Sequence, residues 1–503
     1  MRQQKHEEYR GYRTAGIRLM EEELPGISLH KPEDELFQFP VFQTLDKAQL
    51  VEITEQGMIP RQDGITMLKA LREMEKEGLE KVRLETGGSM HGGEHYLIRK
   101  LGEEVGGRIH LARSSTEQTW TSWRMNTREK LLQVMEGVNT LRDVFLKEGA
   151  KHVETVMPGY THNLHAQPIT WGDNLTAWAS ALQRDFERLE GLYYRVDQCP
   201  LGAVTGTGTN FPVNRQRLAE LTGFQRIGCN TLDFTDPQRD WILETVCVIA
   251  ILQNDLLRWM SDIRFWSCDE CKMLDLPDRY CSTSSIMMQK KNACGLEEII
   301  GAACTTIGGL MTVFMVEKGP SGYPATEFGH SRKVLFGALN YAIRDLDWIA
   351  KLIPDLKVNK ELMLERAGEF WAQGTDVAGA LVKEKGLPWR TAHQIVGILV
   401  RISYERGIKP RDVDTKLLDK AAIEYYGKPV NLSEGALKKA LDPVQFVKER
   451  TLYGGTAPEE VLRQISELKK TIEKDKESVS KKNARIEEAS DKLERAIDAL
   501  IES

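Results

Sequence analysis

Between Trp171 and Val196 the chain places an apolar residue every three or four positions: Trp171, Leu175, Trp178, Leu182, Phe186, Leu189, Tyr193 and Val196. That step is the period of an α-helix, so one apolar stripe runs for about seven turns. A helix of this length cannot cover its own stripe and needs partners of similar length. The sequence supplies them. Pro237 suits the first turn of a second long helix, whose stripe includes Ile242, Val246, Ile249, Leu252, Leu256, Ile263 and Trp266. A third begins at Leu296 and a fourth covers residues 333–352. Strand-type alternation is scarce. The pattern predicts an all-α protein: a long central helix bundle over residues 113–366, flanked by two smaller helical domains at 1–112 and 367–503. The last of these ends in a highly charged, heptad-like helix marked by Val461, Leu468, Ile472, Val479, Ile486, Leu493, Ile497 and Leu500, expected to pack on a neighbouring helix or subunit.

Residues 299–316 carry no charge and nearly reach transmembrane length. Acidic and basic residues flank them on both sides, and a helix buried all round in a helical assembly reads equally apolar. The expectation is a buried helix and no membrane partner. A charged fraction of 28%, an apolar fraction of 41% and a net charge of −6 describe a soluble globular chain. No basic tract or aromatic-plus-basic cluster marks a nucleic-acid surface. The N-terminus is polar and lacks the apolar core of a secretory signal. Eight cysteines fall between Cys199 and Cys304, and the lone Cys268-x-x-Cys271 has no second pair or nearby histidine to complete a metal site. Reduced, mostly buried thiols in a cytoplasmic protein are expected.

The connectors are rich in Gly, Pro, Ser and Thr: Met157-Pro-Gly-Tyr-Thr-His162, the stretch from Pro200 to Pro212, and Cys281-Ser-Thr-Ser-Ser-Ile-Met-Met-Gln-Lys-Lys-Asn292. A bundle can gather such loops at its ends. The last of them combines hydroxyls, lysines and an asparagine, a set able to hold a carboxylate and carry a base. Thr207-Gly-Thr-Gly has no preceding strand and no following Gly-Lys, so it is not a phosphate loop.

Taken in order, these loops resemble the fumarase/aspartase superfamily, and in detail its argininosuccinate lyase branch. Residues 283–293 match the signature G-S-S-x-M-P-x-K-x-N-P, with the Gln289-Lys-Lys-Asn292 wording of that branch. The Met157–His162 stretch with Ala166-Gln-Pro168 resembles a second region. Arg113-Ser114 with Gln118 resembles a third, and Pro200-Leu-Gly202 extends the match. The resemblance implies β-elimination from a succinyl-type substrate, breaking a C–N bond and releasing fumarate. It places Ser284 as the base, with Lys290 and Asn292 as carboxylate partners on a mobile loop. It gives His162 and Glu297 the task of handling the departing amine's proton, and Thr161 and Ser114 that of holding substrate carboxylates. Ser115, Thr116, Met288 and Tyr323 fall at substrate-contacting positions, while Arg113 either touches substrate or forms a structural salt bridge. It further implies a homotetramer with a shared helical core, sites built from three subunits, and neither metal nor nucleotide cofactor.

The departures concentrate where substrate would touch. The branch usually reads R-S-R-N-D-Q where this chain has Arg113-Ser114-Ser115-Thr116-Glu117-Gln118. Its loop prolines are Met288 and Ala293 here. Its Y-N-K-D-x-Q-E-D is Tyr323-Pro-Ala-Thr-Glu-Phe328-Gly-His330, so the groups that would meet a guanidinium are missing. The expected substrate is therefore an N-substituted aspartate with another amine, in the manner of relatives that cleave ethylenediamine-disuccinate. The alternatives are argininosuccinate lyase proper, a superfamily lyase or cycloisomerase expelling a different group, and a crystallin-like structural protein.

Overall fold

The computed structural model describes residues 20–21, 32–234, 239–318 and 327–502. The apolar stripe beginning at Trp171 becomes the helix Trp171–Val196, with all eight of its apolar positions buried. Thr170 caps it, its hydroxyl accepting from Asp173 N at 2.9 Å. Its main partner is a longer helix, Ser115–Lys151, joined to it by a short antiparallel hairpin, Val156–Thr161 with Leu164–Thr170. The two helices run antiparallel: Arg124, near the start of one, donates to Val196 O at the end of the other. At the opposite end they meet closely, where a Cβ on Gly172 would stand 2.5 Å from Gly149 O. Asp240–Trp266, Cys294–Val316 and Phe328–Asp355 complete the bundle. Its core includes a cluster of indoles, with Trp178 stacked on Trp259 at 5.4 Å. Pro237 lies outside the described residues.

Two smaller cores flank the bundle. One unites Phe39–Glu55, Arg61–Glu85 and Gly92–Leu101; the other unites the helices between Gly374 and Leu441. The final helix, Pro458–Glu502, is 45 residues long. Its Val461, Ile465, Ile472 and Val479 join the bundle core, and its Leu493, Ile497 and Leu500 join the N-terminal core. The apolar face of that helix therefore belongs with the bundle and the N-terminal helices, and not with the core of residues 377–441 beside which the sequence grouped it.

Two expectations need correction. Cys294–Val316 is not buried on all sides within one chain, because its neighbours Asp240–Trp266 and Phe328–Asp355 cover only part of it. Met311, Phe314 and Met315 on the open face are 68%, 52% and 53% exposed. By length and composition this helix could cross a membrane. The thiols are not mostly buried either: only Cys199 is, while Cys229, Cys294 and Cys304 are exposed. Cys304 stands on the same helix, whose open face a single chain leaves uncovered.

Candidate functional site

Residues 281–292 fold as a loop closed by a minimal ladder, Ser282–Thr283 against Lys291–Asn292. The ladder pairs Ser282 with Asn292, which brings the two sides of the loop together and leaves Ser284 just past its rim. Ser284 is half-buried. Its Oγ accepts from two backbone groups, Ile286 N at 3.3 Å and Met287 N at 3.0 Å. Such a turn aims two N–H dipoles at one oxygen and leaves the hydroxyl proton free to go elsewhere. The two lysines differ. Lys291 Nζ is tied to Asp275 at 2.9 Å and Asp278 at 3.0 Å, which raises its pKa. Lys290 is exposed and pairs with no acidic group among the described residues. The loop crest is apolar and open: Ile286 is 80% exposed and Met288 89%. Asn292 is half-buried, and Glu297 is exposed in the first turn of Cys294–Val316.

The second region is a hairpin where the sequence suggested a loop. Thr161 pairs with Leu164, so His162 and Asn163 form its two-residue turn, both with positive φ (54° and 59°). That is the backbone of a type I′ turn, whose twist matches that of the strands. Thr161 and His162 are exposed at the tip. Within one chain, among the described residues, His162 forms no hydrogen bond to Glu297. Behind the tip, Tyr160 packs edge-on against His165 and Phe265, and burial pushes its phenol up to about 12. Sequence reasoning passed over Tyr160 and His165.

The third region starts the Ser115–Lys151 helix. Ser114 is its N-cap within a capping box: Ser114 Oγ accepts from Thr116 N at 3.3 Å, and Glu117 Oε1 accepts from Ser114 N at 3.2 Å. The other Glu117 oxygen accepts from Val204 N at 2.7 Å, binding the loop after Pro200 to the helix start. Ser114, Ser115 and Thr116 are half-buried, so three hydroxyls line the positive end of a 37-residue helix. Arg113 points the other way. Its Nη1 donates to Asp46 Oδ1 at 2.8 Å, and Arg83 takes Asp46 Oδ2 at 2.7 Å, all three side chains being almost wholly buried. Of the two roles open to Arg113, the geometry favours the salt bridge. Tyr323 and the side chain of Phe328 lie outside the described residues.

The three regions do not meet within one chain. Ser114 and the His162 hairpin sit at opposite ends of a helix roughly 55 Å long. The Ser284 loop is at the hairpin end, since Asp240–Trp266 brings Phe265 onto Tyr160 just before it. One end of the bundle offers hydroxyls at a helix start; the other offers the Ser284 loop, Lys290, Glu297 and His162.

Comparison with known proteins adds to this geometry. The family described as Lyase matches residues 48–308, and the family described as Argininosuccinate lyase C-terminal matches residues 371–448. The argininosuccinate lyase of Methanosphaera stadtmanae is 35% identical over 427 residues, 84% of this chain and 91% of that protein. That of Methanocaldococcus jannaschii is 35% identical, covering 85% and 87%. Among solved structures, an EDDS lyase in complex with formate superposes with a TM-score of 0.85 at 30% identity, covering 94% of this chain and 96% of that one. An EDDS lyase variant with bound fumarate gives 0.83 at 29%.

Proposed function

This chain belongs to the fumarase/aspartase superfamily, in its argininosuccinate lyase-like branch, and is a carbon–nitrogen lyase; from that premise we propose that it cleaves an N-substituted aspartate reversibly into fumarate and an amine, with Ser284 as the base. The reading rests above all on Ser284 Oγ, which receives two backbone N–H groups. A serine hydroxyl is a poor base until its alkoxide is stabilised. Hydrogen bonds to a charged acceptor contribute about 1.5–3 kcal/mol each, so the pair supplies about 3–6 kcal/mol. A nearby cation would add to this, and Lys290, which pairs with no acidic group among the described residues, is the candidate, whereas Lys291 is tied to Asp275 and Asp278.

Removal of the Cβ proton builds an aci-carboxylate with extra negative charge. Lys290 and Asn292 would hold that carboxylate from the loop. Ser114, Ser115 and Thr116 would hold the other at the start of a second copy's long helix, and Thr161 would add a hydroxyl from the hairpin. Ser114 suits the task because its oxygen already accepts from Thr116 N, leaving its proton to donate. The leaving amine needs a proton, which His162, oriented by Glu297 across the assembly, would deliver directly or through water. Closing the loop would cover Ile286 and Met288 and exclude water.

Because the regions lie at opposite ends of a long bundle, such a site requires several copies of the chain. A homotetramer packed through the open face of Cys294–Val316 would cover Met311, Phe314 and Met315 and bring unlike ends together. The chemistry requires no metal or nucleotide.

The likeness to EDDS lyases, together with Ser115 and Thr116 at substrate-contacting positions, supports an aminocarboxylic acid whose amine is not arginine. The likeness to argininosuccinate lyases favours arginine as the second reading. Following fumarate absorbance in the addition direction, with arginine among a panel of amines, separates them. Consumption with a diamine or amino acid but not arginine is expected; efficient use of arginine would establish the second reading. No fumarate consumption with any amine, and none released from any aminocarboxylate, would overturn both.

A further inference from the structure

Away from the hydroxyls and the base loop, His91, Glu94 and His110 converge on one point. His91 stands at the N-cap of Gly92–Leu101, Glu94 lies in the first turn of that helix, and His110 ends the 3-10 turn Gly107–His110. Glu94 Oε2 faces His91 Nδ1 at 3.1 Å and His110 Nδ1 at 3.0 Å, and the three atoms lie within 4.8 Å of one another. The two imidazoles are nearly parallel, 18° apart with centroids at 5.5 Å, so both turn the same edge toward the carboxylate.

We propose that His91, Glu94 and His110 bind a divalent transition-metal ion of the zinc class, which clamps the Gly92–Leu101 helix to the segment that delivers Ser114. Two imidazoles and one carboxylate form a donor set that zinc accepts with a fourth position open to solvent. With bonds of about 2.0–2.1 Å, neighbouring ligands of a tetrahedral ion stand about 3.3 Å apart. The two nitrogen–oxygen separations are already close to that. Only the imidazoles must close on each other, and His110, with a side chain 39% exposed, has room to turn and to admit the solvent ligand.

The scaffold behind the trio is stiff. Gly92 and Gly93 let the first turn press onto the buried ion pair, where a Cβ on Gly93 would stand 2.0 Å from Asp46 Oδ2. Glu94 supplies the one carboxylate among the three ligands. The nearby guanidiniums of Arg113 and Arg83 are both paired with Asp46, at 2.8 and 2.7 Å. Arg108, next to the turn, is paired with Asp63 at 2.9 Å.

The ion takes no part in the elimination step, and the proposal stands apart from the lyase reading. The test uses the intact protein after chelation and dialysis, titrated with Co(II) while its visible absorption is followed, then displaced with Zn(II). Wild type should show saturable binding of one ion per chain, and Zn(II) should raise its Tm. His110→Ala, which alters a partly exposed side chain, and Glu94→Gln, which keeps the shape and removes the charge, should both lose the saturable band and the Tm shift. A wild type without saturable one-per-chain binding overturns the proposal, as does binding that survives in both variants.

Discussion

At the Ser114 end of the bundle the candidate site residues rest on buried, bonded structure, whereas at the Ser284 end they stand on short and open elements. Ser114 is fixed by a capping box, Glu117 ties that cap to a second loop, and Arg113 is locked to Asp46 beneath it. Ser284 follows a two-residue strand, its loop crest is solvent-exposed, and His162 caps a bare hairpin turn. The contrast suits the proposed reaction. A group that only holds a carboxylate works best as a fixed dipole, because preorganisation removes the cost of reorienting it. A base that must admit substrate and then exclude water belongs on a segment that can open and close.

The sharpest break between the ends comes from Ser284→Ala. On the proposed mechanism it lowers kcat by at least about 10³-fold, within the range for loss of a positioned base, while circular dichroism and Tm stay unchanged. Full turnover in this variant would remove Ser284 from the chemistry. The corresponding change at the rigid end reads out in the opposite way. Asp46→Ala leaves Arg83 and Arg113 buried without their shared anion, which should cost about 3–5 kcal/mol of stability, seen as a lower denaturant midpoint. A stable Asp46→Ala protein with impaired kcat would mean that the two ends had been assigned to the wrong tasks.

The same contrast explains what could be read from the sequence. Trp171–Val196 was legible to its end residues because it is apolar on one face and polar on the other. The longest helix of the bundle, Ser115–Lys151, was not singled out. Its buried face carries Thr121, Ser122, Arg124, Asn126, Thr127 and Arg128; Thr121 and Asn126 bond back to carbonyls of their own helix, while Arg124 and Arg128 donate to carbonyls elsewhere in the fold, Arg128 to Thr222 O at 3.2 Å. Those residues erase the stripe without weakening the helix. Its start was signalled all the same, by Ser114 followed three residues later by Glu117. The hairpin was hidden by Pro158 and Gly159, and its tip by a histidine at positive φ, with Asn163 the one turn-forming residue to mark it. Residues 299–316 read as a buried helix on composition, but within one chain only part of that helix is covered, because composition does not say which face meets a neighbour. Among the candidate site residues, the resemblance of the loop to the superfamily signature pointed to Ser284, Lys290 and Asn292. The loop's composition alone does not distinguish Lys290 from Lys291, because that difference depends on Asp275 and Asp278 across the loop.

That difference gives a finer test at the open end. Lys290→Ala should reduce kcat/KM by about 10²-fold, the effect of removing one stabiliser of developing charge. Lys291→Ala should cost less than about 1 kcal/mol of local stability, as exposed ion pairs do, and change kcat/KM only slightly. Equal losses in the two variants would mean that the loop acts as a single cationic patch, and the role given to Lys290 would fall.

The smallest effect concerns pH, and it has opposite signs at the two ends. His165 in the hairpin has its pKa lowered, chiefly by burial, with Arg366 adding to the fall and Glu369 opposing it. A lowered imidazole contributes stability that is present above its unfolded value of about 6.5 and lost as pH falls through the folded value. Glu117 at the helix start has its pKa raised by burial, only partly offset by hydrogen bonds from Val204, Ser114 and Gly202. Its contribution is present below the unfolded carboxyl value and lost as pH rises through the folded one. Acidification from pH 7 to 5 should therefore loosen residues 156–170 while leaving the first turn of Ser115–Lys151 unchanged or tighter. Since His165 is half-buried, solvent screening keeps its share below about 1 kcal/mol. Hydrogen exchange, corrected for the intrinsic pH dependence of amide rates, can resolve that at the two peptides. His165→Gln should abolish the change in the hairpin and leave the helix start alone. If both peptides move in the same direction in wild type, the two ends share one cooperative unit, and the separation of a fixed end from an opening one fails.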